Sequence, residues 1–203
     1  MLNNLLVNLG VEKSQADTIV DSILDWKDGD DLHRLHGAES DYYMSLPNPY
    51  KAKDANFDNL EELLLVKGVT RDILYGVDGK PGLIKYLTVY TPSFQININT
   101  ASLEVLKAIP FMTEDMVQSL INYRTADNVK KDGSGLQSML SAADYAKITS
   151  YVTTADSNIY SVEGIGYKTL ATSNYSLKAV IRIEGADRYR ILYYQSPALI
   201  EIP

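Results

Sequence analysis

Six carboxylates fall between Asp25 and Asp41, namely Asp25, Asp28, Asp30, Asp31, Glu39 and Asp41, against two cations, Lys27 and Arg34. Four negative charges are left over unless His33 or His36 is protonated. Like charge at this density repels itself unless it stays solvated, finds cations or binds a metal. A hard cation such as calcium takes roughly six to eight oxygens, and Asp28, Asp30, Glu39 and Asp41 could converge with backbone carbonyls to supply them. The Asp-x-Asp spacing of 28 and 30 sets both side chains on one side of an extended turn, and Gly29 and Gly37 permit sharp bends. The register is not that of an EF-hand, because no glycine and glutamate stand at that loop's sixth and twelfth positions. A plainer reading stays open beside the metal: a solvated loop whose aspartates cap neighbouring helices. Trp26 at one end and Tyr42-Tyr43 at the other favour a loop pinned to a core over free disorder.

Other chemistry finds little support. His33 and His36 lie three apart beside the acidic segment, where an acid–base or metal role is conceivable, yet loop histidines are more often simply solvated. No Gly-x-Ser-x-Gly, P-loop or His-Glu-x-x-His pattern occurs. Gly164-Ile165-Gly166 lies among strand-like residues with no following helix, which is a poor dinucleotide signal. The chain contains no cysteine, so disulfides, thiol catalysis and thiolate metal sites are excluded. No enzyme is expected.

The elements that must position the acidic loop are helical. Leu2, Leu5, Leu6 and Leu9 recur at helical spacing up to Gly10. Ser14 and Asp17 form a start signal for a second helix carrying Ala16, Ile19, Val20, Ile23 and Leu24, which runs straight into the acidic residues. Pro47 to Asn56 reads as a structured connection, and Asn59 with Glu62 caps a further helix over Leu60, Leu63, Leu64 and Val66. Two segments share a helix–hairpin–helix design. Leu64 to Thr70, with Gly68, joins one helix to the next near Thr70, and Leu106 to Thr113 joins another to a helix bearing Met116, Val117, Leu120 and Ile121. A third helical stretch covers Leu136 to Tyr151, and the polar run Thr125 to Gly135 reads as a mobile loop. From about Ser157 the period changes to two. Ile159 to Val162, Tyr175 to Glu184 and Tyr189 to Tyr193 read as strands around a turn at Gly185-Ala186-Asp187. The fold class is therefore α+β: a helical domain with two helix–hairpin–helix or SAM-like units over residues 1–155, then a small antiparallel sheet over 156–203. So short a meander cannot hide its apolar face alone.

Charge bounds the partners. The 203 residues carry a net charge of −7 with a pI near 4.8, the wrong sign for general nucleic-acid or anionic-membrane binding. The paired hairpins nonetheless raise a DNA-binding alternative of the competence type, in which backbone N–H groups of a tight turn hold phosphate. Against it, residues 54–75 hold Asp54, Asp58, Glu61, Glu62 and Asp72 against Lys67 and Arg71, and the second hairpin has Pro110-Phe111-Met112 where glycines would be wanted. No run approaches the roughly 18 apolar residues of a membrane span. Met1-Leu2 enters a helical pattern with no leader, so the sequence is expected to be part of something longer.

The order Ile23-Leu24-Asp25-Trp26-Lys27-Asp28-Gly29-Asp30-Asp31, Gly37-Ala38-Glu39-Ser40-Asp41-Tyr42-Tyr43, Pro49-Tyr50-Lys51-Ala52, Leu60-Glu61-Glu62-Leu63 with Val66-Lys67-Gly68-Val69, and Ile96-Asn97-Ile98-Asn99-Thr100 resembles the K-type minor pseudopilins of type II secretion (GspK). The resemblance extends over almost the whole chain. It implies a pilin-like fold, here truncated, with residues 1 to about 155 as an inserted helical domain and the rest as returning strands. It further implies a non-enzymatic tip subunit of the periplasmic pseudopilus that assembles with the I- and J-type minor pseudopilins and binds no nucleic acid. Contact with the membrane would come only through an N-terminal helix absent from this sequence, which makes the chain the periplasmic domain of an inner-membrane-anchored protein. Tip members of the family are associated with calcium, which favours the metal reading of the acidic loop. Many relatives carry cysteines, and this chain departs from them in having none.

Overall fold

Leu2, Leu5, Leu6 and Leu9 share one helical face. In the computed structural model, which describes residues 1–91, 93–125, 132–167 and 174–198, they lie along α1 (Leu2–Asn8) and its C-cap Leu9. Gly10 follows at φ +94°, which stops the helix. The second helix, α2 (Lys13–Lys27), starts earlier than its Ser-x-x-Asp signal suggests. Glu12 occupies the N-cap, and the Ser14 hydroxyl bonds the Glu12 carboxylate instead of capping the helix. After the acidic segment comes a short helix with no sequence period long enough to announce it, α3 (Ser40–Met44).

Asn59 caps as expected, accepting the Glu62 N–H at 3.1 Å, but the helix it opens is a 3₁₀ helix, Leu60–Leu65. Thr70 accepts the Ile73 N–H at 3.2 Å and opens α4 (Arg71–Tyr75). Two strand pairs interrupt what the spacing reads as an all-helical body. β1 (Gly76–Val77) and β2 (Lys80–Pro81) form a hairpin about Asp78 and Gly79 at φ 52° and 75°, the left-handed pair that an Asp-Gly turn allows. A second 3₁₀ helix, Leu83–Lys85, follows. β3 (Ile96–Asn97) pairs in parallel with β4 (Val152–Thr153), far away in the chain.

Between those two strands lie α5 (Leu103–Ala108), α6 (Glu114–Thr125), α7 (Gly133–Met139) and α8 (Ala142–Ile148). The single helix expected over 136–151 is broken because Ser141 turns its hydroxyl onto the Asp144 N–H at 3.1 Å and starts a new one. The polar run expected after Thr125 lies mostly outside the described residues. Leu106, Ile109, Val117, Leu120, Leu136 and Ile148 are buried together in one core, and Leu6, Ile19, Leu74 and Leu83 in another. A third, aromatic cluster holds Trp26, Tyr43, Ala38, Ala52 and Val66.

The chain divides into two compact units, Met1–Val89 with Ser93–Thr154, and Tyr90–Pro92 with Ala155–Pro203. The second contains β5 (Ile159–Tyr167), β6 (Asn174–Gly185) and β7 (Arg188–Gln195), antiparallel in the order β5-β6-β7. Register sets the two faces apart. Tyr160 pairs with Ile181 and Ile181 with Ile191; Val162 pairs with Ala179 and Ala179 with Tyr194. Leu177, Ile183 and Tyr189 join this face, and apart from Ala179 and Ile181 these side chains are exposed. On the opposite face Lys178 meets Glu163 at 3.2 Å, and the Tyr90 ring lies 6.0 Å from that of Tyr193.

Candidate functional site

The acidic loop is built outward from an aromatic anchor. Trp26, 3% exposed, meets Tyr43 edge-on at 5.1 Å, and Tyr50 stacks on Tyr43 at 5.4 Å. Burial pushes the Tyr43 hydroxyl up to about 12, so it stays protonated while accepting the Lys67 N–H at 3.3 Å. The end of α2 and the start of α3 are thereby fixed on one cluster, with the charged residues strung between them. Burying the Trp26 and Tyr43 rings, with Tyr50 half-buried against them, stabilises such a loop by several kcal/mol, about 1.5–3 kcal/mol for each fully buried large side chain.

One residue before Trp26, Asp25 is fully buried. A buried carboxylate is costly unless paired, and Arg34 pairs it: Nη1 lies 2.6 Å from Oδ1, and the Arg34 N–H donates to Oδ2 at 3.3 Å. The same Nη1 lies 2.6 Å from Asp28 Oδ2. These two carboxylates, Asp25 first, hold the guanidinium proton more firmly than usual. Gly37 packs directly on the pair, since a Cβ there would stand 1.8 Å from Asp25 Oδ2. Its glycine is thus needed for close approach and not for the bend that the spacing suggests. From outside the loop, Lys67 donates to the Gly37 carbonyl at 2.9 Å and lies over the Tyr42 ring at 5.0 Å.

Of the four carboxylates expected to converge, three do. Asp28, Asp30 and Glu39 offer oxygens that all lie within 4.8 Å of one another. Two oxygens on one calcium ion stand at most about 4.8 Å apart, twice a bond of roughly 2.4 Å, so a single ion can touch all three. Glu39 is 2% exposed. Its Oε1 and the Oδ1 of Asp28 are buried without a hydrogen-bond donor. Burial first, then the charges of Asp25 and Asp28, push the Glu39 pKa up to about 7, against the pull of His33. A divalent cation would supply the missing partner and reverse that shift. Asp41 is the correction. It is exposed in the first turn of α3 and faces His33, whose Nε2 lies 2.9 Å from Asp41 Oδ1. Asp30 also accepts the Leu32 N–H at 2.8 Å, so it shapes its own turn.

The two turns that the spacing reads as hairpins offer phosphate little. Lys67 is engaged with the carbonyls of the acidic loop, Arg71 lies over the Tyr75 ring at 5.2 Å, and Lys107 meets Glu114 at 3.1 Å. Arg124 donates to the Ile98 carbonyl. In the first turn Gly68 has the required left-handed φ of 86°, but it faces α2, with Ile19 Cγ1 3.1 Å from where a Cβ would be and its carbonyl accepting from Gln15 at 3.1 Å. In the second, Phe111 takes a left-handed φ of 64° where a glycine would allow close approach. Arg34 and Lys67 brace the acidic loop, a part that residue type and spacing undervalue. The signal for Arg34 was its place as one of two cations inside the acidic segment. For Lys67, which arrives from a distant element, there was none.

Part of the sequence and the fold are similar to known proteins. The family described as type II secretion system (T2SS), protein K, matches residues 1–77. The type II secretion system protein K of Pectobacterium carotovorum subsp. carotovorum is 34% identical over 97 residues, covering 47% of this chain and 28% of that protein. That of Pseudomonas aeruginosa (strain PAO1) is 25% identical over 154 residues, covering 72% of this chain and 44% of that protein. The chain thus spans less than half the length of these curated relatives. A chain in the crystal structure of the GspK-GspI-GspJ complex from enterotoxigenic Escherichia coli matches 98% of this one at a TM-score of 0.73 and 19% identity, over 69% of its own length. That likeness gives a shared fold of mixed helix and small antiparallel sheets. Over residues 1–77 the chain thus matches the type II secretion system protein K family, and its curated relatives carry that name.

Proposed function

We propose that this chain is the periplasmic part of a K-type minor pseudopilin, a non-enzymatic subunit at the tip of the type II secretion pseudopilus. The observation that carries the proposal is the apolar face of the β5-β6-β7 sheet. Tyr160, Val162, Leu177, Ile183, Tyr189, Ile191 and Tyr194 are each at least 37% exposed there, and a continuous apolar face of this kind requires cover. In a pilin-like subunit the cover is the N-terminal helix that also anchors the protein in the inner membrane. The greater length of the curated relatives leaves room for one. Among the described residues no helix is long and apolar enough to cross a membrane. By analogy with the complex that the structural neighbour forms, the I- and J-type minor pseudopilins are the partners.

Within this role the acidic loop holds calcium through Asp28, Asp30 and Glu39 and joins the end of α2 to α3. The two unpartnered buried oxygens support it. Deleting the gene should abolish export of the system's exoproteins while leaving the other pseudopilins made. Unimpaired export, with tight salt-sensitive DNA binding by the purified chain, would put the competence-type alternative in its place. Calcium added to chelator-treated chain should raise its melting temperature, and Asp30→Ala should remove the rise.

A further inference from the structure

We propose that Arg34 is the positioning residue of the cation site: it presets the Asp28 carboxylate, so that a divalent ion enters a formed cluster instead of having to build one. This inference rests on the cation reading of the acidic loop given above. Its basis is a division of labour between the two oxygens of Asp28. Oδ2 is held by Arg34 Nη1 at 2.6 Å, whereas Oδ1 is buried, accepts no hydrogen bond and belongs to the residue grouped with Asp30 and Glu39. The same Nη1 is fixed at 2.6 Å to Asp25 Oδ1, and Asp25 is itself buried on the last turn of α2. The Arg34 backbone adds two further ties, its N–H to Asp25 Oδ2 at 3.3 Å and its carbonyl from the Gly37 N–H at 3.1 Å. One guanidinium therefore anchors the first ligand of the cluster to the rigid helix, and the Asp25–Arg34–Gly37 bonds close the segment that leads on to Glu39.

Charge and geometry make opposite demands at this position, which is what makes the inference testable. By Coulomb's law alone, removing a positive charge this close to the site strengthens cation binding. By preorganisation, removing it frees Asp28, sets two neighbouring carboxylates repelling each other and leaves the ion to order the segment itself. Residues that orient metal ligands typically change affinity by about 10- to 100-fold when lost. The clamp should win, because Asp25 and Asp28 share a single donor nitrogen.

The test is calcium titration of the chelator-treated 203-residue chain, followed by calorimetry and by the fluorescence of Trp26, its only tryptophan. Arg34→Gln is expected to weaken calcium binding about tenfold or more, and Arg34→Lys, which keeps the charge, to recover part of the loss. Because Arg34→Gln alone strands the buried Asp25 charge and threatens folding, the double variant Asp25→Asn with Arg34→Gln removes both charges together, and it should also bind calcium more weakly. Arg34→Gln or the double variant binding calcium as tightly as the wild type, or more tightly, would overturn the inference while leaving the cation site standing. No calcium response in the wild type would remove the cation site and this inference with it. A residue that served folding alone would lower the melting temperature in chelator without moving the calcium affinity of the folded protein.

Discussion

The acidic loop and the C-terminal sheet are each short of a partner, and of opposite kinds. In the loop two carboxylate oxygens are buried with no donor, beside a guanidinium already shared between Asp25 and Asp28. In the sheet the excess is apolar area, with Tyr189, Tyr194 and Ile191 each more than half exposed. A deficit of charge within a few ångströms is met by something small and hard, because only a compact cation can reach several oxygens at once. A deficit of cover over a sheet face is met by another piece of polypeptide, because only that removes hundreds of square ångströms of apolar surface from water. The same reasoning underlies both proposals, an ion for one region and a helix for the other.

The largest expected effect breaks the loop side of this comparison. Gly37→Ala forces a methyl group onto the Asp25 carboxylate and should cost roughly 2–4 kcal/mol in urea unfolding, as for other disrupted buried ion pairs. Calcium affinity should fall with it. Next in size is a pH effect at Glu39, whose folded pKa of about 7 lies above its ordinary 4.5. A raised carboxylate binds its proton more tightly in the folded state. The contribution of Glu39 to stability in chelator, read as the difference between wild type and Glu39→Gln, should therefore be greatest below about pH 4.5 and decline as pH rises to about 7, by at most about 3 kcal/mol. Saturating calcium should flatten that decline; a wild-type and Glu39→Gln pair with parallel pH profiles would contradict it. The smallest effect sharpens the sheet side. Ile191→Lys should change the stability of this chain by only about 0.5 kcal/mol, since the side chain is exposed. In the longer protein, with the covering helix present, the same change should cost about 2 kcal/mol or more. Equal costs in both would mean that nothing covers the face.

Much of this was legible because some signals are strictly local. The alternation from Tyr175 to Glu184 specifies a strand whichever way the chain folds, and Asp28, Asp30 and Glu39 stand out as dense charge beside Trp26. Asp41 looked like their equal because type and spacing say nothing of direction. Only the turn of α3 reveals that it faces His33. The parallel pairing of Ile96 with Val152 was illegible, because two-residue strands have no period and their partners are fixed by the core between them. The reach of Lys67 to the Gly37 carbonyl is likewise a tertiary fact. The break between α7 and α8 could have been seen, since Ser141 followed by Asp144 is a start signal in its own right.

The central claim, that this chain is a tip subunit, is tested most directly by native mass measurement on a mixture with the soluble I- and J-type domains of the same system, in calcium. A single species holding one copy of each is expected. The chain persisting as a free monomer beside an I–J pair would contradict it.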